Sequence, residues 1–336
     1  MDGQTFQGFT SELDPDVDLH ATDSRSSART VHAVRAQPAA PVRLRFQLGA
    51  RTLFSVTRRL ARVAIPLERR ALLPELPTLD GDADGFLVTG LRADLRQALT
   101  AARPELRPYL RHAYPRHYAS LQQDFDAYLA HFSGKTRSTL RRKLRKFADQ
   151  SGGTIDLRLY TRPTEVDDFF RHARAVSAIT YQERLLSAGL PDGDDARAAT
   201  RALADRDMMR GWILFLDGRP VSYLYAPAEE DTLIYAYLGY DPAFADLSPG
   251  TVLQLEALRT LMAERRFRVF DFTEGDGQHK RQFATGAVDC VDLLLLRPTL
   301  ANRALGHGLG AFDAGIAAAK RLLPPPLAKL ARALRR

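Results

Sequence analysis

Between residues 270 and 285 the sequence reads FDFTEGDGQHKRQFAT, which places Asp271, Glu274, Asp276, His279, Lys280 and Arg281 just beyond a predicted strand. Strand ends that run into irregular loops are where open α/β sheets hold their ligands. A carboxylate or imidazole there can take a proton from an ammonium nucleophile, provided it lies within hydrogen-bond reach. Asp271 has the better position for that work and His279 the better pKa, since an imidazole titrates near neutrality. A charged surface turn with His279 facing solvent is the plain alternative. One histidine among scattered acids has no recognisable ligand spacing, so no metal site is expected.

Upstream, residues 237–258 read as strand, irregular loop, Ser248-Pro249-Gly250 and then helix. Pro249 suits the first helical position, where its missing N–H costs nothing. Gly250 lets a ligand approach the backbone closely. The free amides of a helix start favour a phosphate. Ser248, Gly250 and Thr251 are therefore expected to border a ligand's phosphate or pyrophosphate, helped by a base such as Lys280. The Gly-rich Lys-Ser/Thr ending of a P-loop is absent, which argues against a nucleotidase. A third stretch, FSGKTRSTLRRKLRKF (132–147), holds seven bases between Lys135 and Lys146 and no acid. On a helix, Leu140, Leu144 and Phe147 share one stripe while Arg137, Arg141 and Arg145 recur at i, i+4 and i+8. Like charges so placed repel. They read either as a solvated face or as contacts for phosphates and anionic headgroups. DNA is disfavoured, because no zinc-finger or basic-zipper pattern accompanies them. Cys290, inside an apolar strand, reads as an inert buried residue.

The elements that must position these groups follow from periodicity. Residues 42–48 and 51–65 predict a hairpin across Gly49-Ala50, and 85–90 a further strand. Helical spacing follows in 91–101 and again after Pro104. One or two helices span 124–150, with Asp124 as a cap. After Gly152-Gly153 come a strand (154–160), a helix (162–179, capped by Thr164) and a second helix (191–207). Strands at 209–217, 219–228 and 231–241 follow, the first two joined by an Asp217-Gly218 turn. A helix (251–266), a strand (268–272), a short helix (276–284) and a strand (288–297) complete the body. The order is that of a mixed α/β sheet flanked by helices.

Of the 336 residues, 45% are hydrophobic and 26% charged, a globular composition. No run approaches the roughly 18–20 apolar residues of a membrane span, and the acidic, polar start is unlike a secretory signal. A single cysteine excludes an internal disulfide. These features predict a cytoplasmic protein. The net charge of +8 is unevenly spread. Residues 297–336 carry eight bases and one acid, Asp313, whereas residues 1–36 carry six acids and three bases. Leu305, Leu309, Phe312 and Ile316 form one helical stripe in the tail. After Pro324-Pro325-Pro326, Leu327, Leu330, Ala331 and Leu334 form another, with Lys329, Arg332, Arg335 and Arg336 around it. A short basic helix with leucines on one face suits an anionic membrane surface; packing on its own domain or on a partner is the alternative.

These pieces together resemble the GNAT superfamily of acyltransferases, in particular the bacterial branch that joins a variable N-terminal module to a GNAT-like domain. The basic K-x-R-x-x-x-R-R-K helix of that branch matches Lys135, Arg137, Arg141, Arg142 and Lys143. The later D-F-x-x-G-x-x-x-x-K-x-x-F pattern matches Asp271, Phe272, Gly275, Lys280 and Phe283. The resemblance covers roughly 85–297 and departs at the pyrophosphate loop, where Leu247-Ser248-Pro249-Gly250-Thr251 replaces Q/R-x-x-G-x-G/A. It implies transfer of an acyl group from coenzyme A or acyl carrier protein to an amine, with no tightly bound cofactor. Fem-like relatives take an aminoacyl group from tRNA instead. It also implies a bulge in the strand 231–240 that frees an oxyanion donor. Tyr240 is then the candidate to protonate the leaving thiolate, and Asp271 or His279 the candidate base. Arg137, Arg141 and Glu274 are the expected acceptor contacts. The stretch 132–143 is similar to that of bacterial ceramide synthases, which N-acylate a sphingoid long-chain base. An amino sugar is the enzymatic alternative, and a degenerate basic binding module for lipid or nucleic acid the other. The expected organisation is a disordered tail (1–40), an α/β module (41–150), a GNAT-like domain (151–298) and a basic amphipathic tail (299–336). The expected partners are the thioester donor, the amine and anionic lipids of the inner membrane face.

Overall fold

A computed structural model describes residues 31–33, 36–48, 51–67, 72–180 and 189–322. Its strands are β1 (Val31–Ala33), β2 (Ala36–Leu48), β3 (Arg51–Ala64), β4 (Leu73–Glu75), β5 (Gly85–Arg92), β6 (Arg107–Ser120), β7 (Asp156–Tyr160), β8 (Met209–Leu216), β9 (Arg219–Glu229), β10 (Thr232–Ile234), β11 (Tyr237–Tyr240), β12 (Val269–Asp271) and β13 (Gly286–Leu296). Its helices are α1 (Arg96–Ala102), α2 (Phe125–Ala130), α3 (Gly134–Gln150), α4 (Val166–Ser177), α5 (Asp194–Asp205), α6 (Pro249–Glu264), α7 (Gln278–Phe283) and α8 (Leu300–Leu322). None of the described helices is long and apolar enough to cross a membrane. The chain is a mixed α/β protein.

The described residues fall into two compact units. One holds Pro115–Val288; the other holds the residues up to Tyr114 together with those from Asp289. The divisions thus lie inside β6 and β13, rather than at the expected 150/151 and 298/299. Long strands carry the chain through both points, so no linker marks them.

In the Pro115–Val288 unit, β7, β8 and β9 run antiparallel, β9 pairs β10 antiparallel, and β10 pairs β12 in parallel. Every residue of β8 is buried, because helices cover both faces and the strand has no solvent side to alternate with. Trp212 and Leu214 pack with Phe147 of α3 and Leu253 and Leu258 of α6. Ile213 and Phe215 pack with Phe169 and Phe170 of α4. Asp217 and Gly218 both take positive φ, as a two-residue turn of the primed kind demands. Ser133 caps α3 by accepting the Thr136 N–H at 3.2 Å. Asp124 occupies the cap position of α2 but makes no side-chain capping bond. Thr164 is not a cap: it lies within a 3-10 turn, and Glu165 accepts the Thr161 and Arg162 N–H groups.

In the other unit, β2 pairs β3, β3 pairs β5 in parallel, and β5 pairs β13 with a bulge between Val291 and Leu293. Leu99 of α1 covers one face with Phe86, Val88 and Leu293. Leu305 and Leu309 of α8 cover the other with Val42, Leu44, Phe46, Leu60, Leu294 and Leu296. The first apolar stripe of the tail therefore packs on its own unit; the stripe at 327–334 lies outside the described residues, as does most of 1–40. The helix expected after Pro104 is instead β6. Pro108 and Pro115 cannot sit in a helix interior, and Tyr109, Tyr114 and Tyr118 suit an extended chain. Cys290 is buried, as its apolar strand implied.

Candidate functional site

Residues 231–241, which read as one strand, break in the middle. Thr232–Ile234 pair with Val269–Asp271, and the Tyr235 N–H still donates to the Asp271 carbonyl at 2.8 Å. The Ala236 N–H turns instead to the Tyr225 carbonyl at 3.2 Å. From there β11 pairs only with β9, so β11 and β12 diverge into a wedge. Asp241 donates its N–H to Val221 at 2.9 Å, and the Gly239 carbonyl accepts from the Ser222 hydroxyl. Strand amides alternate in direction. The Leu238 and Tyr240 N–H groups accordingly face the wedge, where no strand of the described residues meets them.

At the mouth of the wedge stands the start of α6. Ser248 takes a left-handed backbone (φ 54°, ψ 49°), and its carbonyl accepts the N–H groups of Thr251 at 3.0 Å and Val252 at 3.1 Å. Such a backbone costs a non-glycine residue on the order of 1 kcal/mol or more, and the turn reverses the chain abruptly into the helix. A Cβ on Gly250 would lie 3.3 Å from the Leu238 side chain and 3.5 Å from the Tyr240 ring. The helix start and the wedge are thus one place, which brings Ser248, Gly250, Thr251 and Tyr240 together. A cation stands beside them in Lys143 of α3, whose Nζ lies 3.4 Å from the Thr251 hydroxyl; Lys280 lies on the loop after β12. Burial pulls the Lys143 pKa down, and neighbouring Arg142 adds to this. Lys146 reaches the Asp246 carbonyl at 3.0 Å.

Behind the wedge lies the loop from Asp271 to α7. Asp271 is fully buried and accepts bonds from Arg116 Nε at 3.0 and 3.2 Å to its two oxygens, from the same guanidinium's terminal nitrogen at 2.5 Å, and from the Thr273 N–H at 2.8 Å. Such a carboxylate holds a loop in place and has little lone-pair capacity left for a substrate proton. His117 lies 2.8 Å from Asp276, which also holds Arg281. Lys280 donates to the Thr273 hydroxyl at 3.3 Å and the Glu274 carbonyl at 2.5 Å, which ties it to its own loop. Burial lowers the Lys280 pKa, against the nearby Glu274 and Asp271 carboxylates. The Glu274 side chain is exposed. The His279 side chain is exposed, with its ring 6.1 Å, centroid to centroid, from the ring of Tyr235, the residue at which the strand breaks. Partial desolvation, then Lys280, pulls its pKa below the ordinary imidazole value, which keeps it neutral and able to accept a proton. Burial pushes the Tyr235 phenol up, so it stays a donor.

Arg137 and Arg141 lie elsewhere. With Gly134, Ser138, Leu144 and Arg145 they line an open concavity of about 570 Å³ on the flank of α3 away from Lys143. Sequence reasoning missed Arg116, His117 and Tyr235. Pro115 was the available signal for the first two, because a proline amid tyrosines marks a strand rather than a helix.

Residues 134–281 match the family model described as an acetyltransferase (GNAT) domain. This stretch is similar to GNAT-type domains. The GNAT match begins at the first residue of α3 and ends within α7, so it contains the wedge, the α6 start and the loop from Asp271. It leaves out Arg116 and His117 of β6. The protein is accordingly an N-acyltransferase. Among solved structures, the chain resembles a conserved protein of unknown function from Bacteroides thetaiotaomicron VPI-5482, with 16% identity and a TM-score of 0.45 over 63% of this chain and 70% of that one. It resembles L-PGS from Bacillus licheniformis with 14% identity and a TM-score of 0.44, over 66% of this chain and 71% of that one. FemX shares 10% identity at a TM-score of 0.47, over 76% of this chain and 88% of its own. No curated protein matches the chain.

Proposed function

We propose that the protein transfers an acyl group from a thioester, carried by coenzyme A or acyl carrier protein, to the amine of an amphiphilic acceptor, a sphingoid long-chain base. The observation that carries the transfer is the wedge: two inward amides, Leu238 and Tyr240, beside a helix start with a lysine. Amides so placed bind an extended thioester arm or the oxyanion of its tetrahedral intermediate. Gly250, Thr251 and Lys143 offer a phosphate their N–H, hydroxyl and ammonium groups. His279 takes a proton from the ammonium, the neutral nitrogen attacks the thioester carbonyl, and a C–N bond forms. The C–S bond then breaks as the nitrogen gives up its second proton; Tyr240, which is 42% exposed at the end of β11, protonates the departing thiolate and takes back the proton that the nitrogen releases. Asp271 stays an ion-paired anchor. Arg137, Arg141 and Glu274 remain proposed acceptor contacts, and Lys280 a second contact for the carrier's phosphate. The amphiphilic acceptor rests on the tail, whose leucines and excess of seven positive charges suit peripheral contact with anionic lipid at the inner membrane face.

The deciding assay incubates the purified chain with labelled palmitoyl thioesters of coenzyme A and of acyl carrier protein, each with a long-chain base or an amino sugar. A labelled amide on the long-chain base is expected. Label on the amino sugar alone would move the acceptor to polysaccharide synthesis, and no product from any pair would leave a basic binding module. Gly250→Val pushes methyl groups against Leu238 and Tyr240 and should raise the donor KM by about ten- to a hundredfold, because one crowded contact is worth roughly 1–3 kcal/mol. An unchanged KM in a folded variant would put the phosphate elsewhere.

A further inference from the structure

The β2–β3 hairpin has features that the transfer reaction does not use. Residues 36–67 contain six arginines and no acid. Only Leu60–Ala64 of β3 pair with β5, so residues 42–48 and 51–59 form a two-stranded arm beyond the rest of that unit's sheet. A lone ribbon is marginal in water, and α8 supports this one: Leu305 and Leu309 pack along it, and the Phe312 ring meets Phe46 edge-on at 5.3 Å. That cover ends before the arm does. Leu48, Leu53 and Phe54 are 52%, 50% and 53% exposed, with Phe54 stacked on Phe46 at 4.1 Å. Three large apolar side chains crowd a tip where hairpins ordinarily place polar residues.

The charges sort along the same axis. At the base of the arm, Arg58 and Arg59 are held by Asp84 and Asp82. Nearer the tip, Arg43 and Arg45 are exposed and have no carboxylate within ion-pair distance among the described residues. The course of α8 adds a third point. Asn302 bonds Arg58 at the base at 2.7 Å, and Phe312 meets Phe46 near the tip, so the helix runs toward the tip. From Phe312 to Leu322 it advances about 15 Å, while Phe46 to Leu48 covers about 7 Å. The described end of the helix, at Leu322, therefore lies at the tip end of the arm. Apolar side chains ringed by arginines match the boundary of an anionic bilayer, where the apolar groups enter the acyl region and guanidinium groups stay with the phosphates.

We infer that the tip of the β2–β3 hairpin, through Leu48, Leu53 and Phe54 with Arg43 and Arg45, is an insertion surface for anionic membranes. The test is flotation of the full chain with vesicles of phosphatidylglycerol and phosphatidylcholine in equal parts, against phosphatidylcholine alone. The chain should float with the anionic vesicles, and Leu53→Ser/Phe54→Ser should weaken flotation about tenfold or more. In a separate variant, Phe54→Trp should shift its emission to the blue on adding anionic vesicles, while the fully buried Trp212 gives no such change. Flotation needs neither donor nor acceptor, so it can succeed where the transfer reaction fails. Turnover of a water-soluble amine should be the same in all these variants. The inference is overturned if the wild type does not float, if the double variant floats as well as the wild type, or if the emission of the Phe54→Trp variant stays fixed while that protein floats. A loss of dimers in the double variant with flotation intact would make a second copy the occupant instead.

Discussion

Arg116→Met should lower the free energy of unfolding by about 3–5 kcal/mol, because it leaves the Asp271 carboxylate buried without its partner. Arg116 is itself largely buried, with 14% of its side chain exposed against none of Asp271. Little solvent is therefore available to take over the lost interaction. The measurement is the urea midpoint with the slope held constant. Replacing both partners, as Arg116→Met with Asp271→Leu, should recover much of the loss, since apolar groups of similar volume satisfy one another. Thr273, held at φ 62° while its N–H bonds Asp271, would still lose its anchor in the double variant. Stability should thus return without the loop's geometry. A single-variant loss under about 1 kcal/mol would mean that Asp271 finds another partner, and it would reopen its candidacy as the base.

His279→Gln should reduce kcat by roughly 10²- to 10⁴-fold, the range expected for a positioned general base. The pH profile gives the sharper reading. The base works as neutral imidazole, so the rate falls as pH drops through its pKa. Desolvation and Lys280 lower that pKa, so the acid limb of the wild type should lie below the ordinary imidazole value near 6.5. The variant should lose this limb and keep only the titration of the acceptor amine. An unchanged profile with a roughly fivefold or smaller loss would remove His279 from the chemistry. Asp276→Asn, which releases His117 and Arg281 but leaves His279 in place, is the control for damage to the loop.

Much of the architecture was legible because local signals agreed with the final packing. The β8–β9 turn was announced by Asp217-Gly218, the α6 start by Ser248-Pro249-Gly250, and the apolar stripe of α3 by its period. Three features escaped for identifiable reasons. β6 alternates weakly, since its side chains are mostly half-buried, and its residues therefore imitated a helical spacing. The break at Tyr235–Ala236 has no glycine or proline to mark it; it follows from which neighbour each amide finds, a tertiary matter. The role of Asp271 depended on Arg116, 155 residues away in sequence. Position at a strand end made it look like a base, and only its partner makes it an anchor. The tail's first stripe gave the right period but left its cover undecided between lipid and protein; the sheet of its own unit supplies that cover. A truncation meant to probe the tail should accordingly end at Leu322, because removing α8 would strip Leu305 and Leu309 from a core.

The broken strand has a thermodynamic consequence. Because β11 already bonds only to β9, no ladder between β11 and β12 has to be pulled apart to admit a guest. The recess is preorganised, and an entering chain would meet two amides fixed in direction that no strand of the described residues takes up. Association then carries little reorganisation penalty on the protein's side, and most of the ordering cost falls on the flexible guest. Discrimination among donors of different length would consequently reside in how far each reaches along a rigid groove, rather than in how much each can persuade the fold to open.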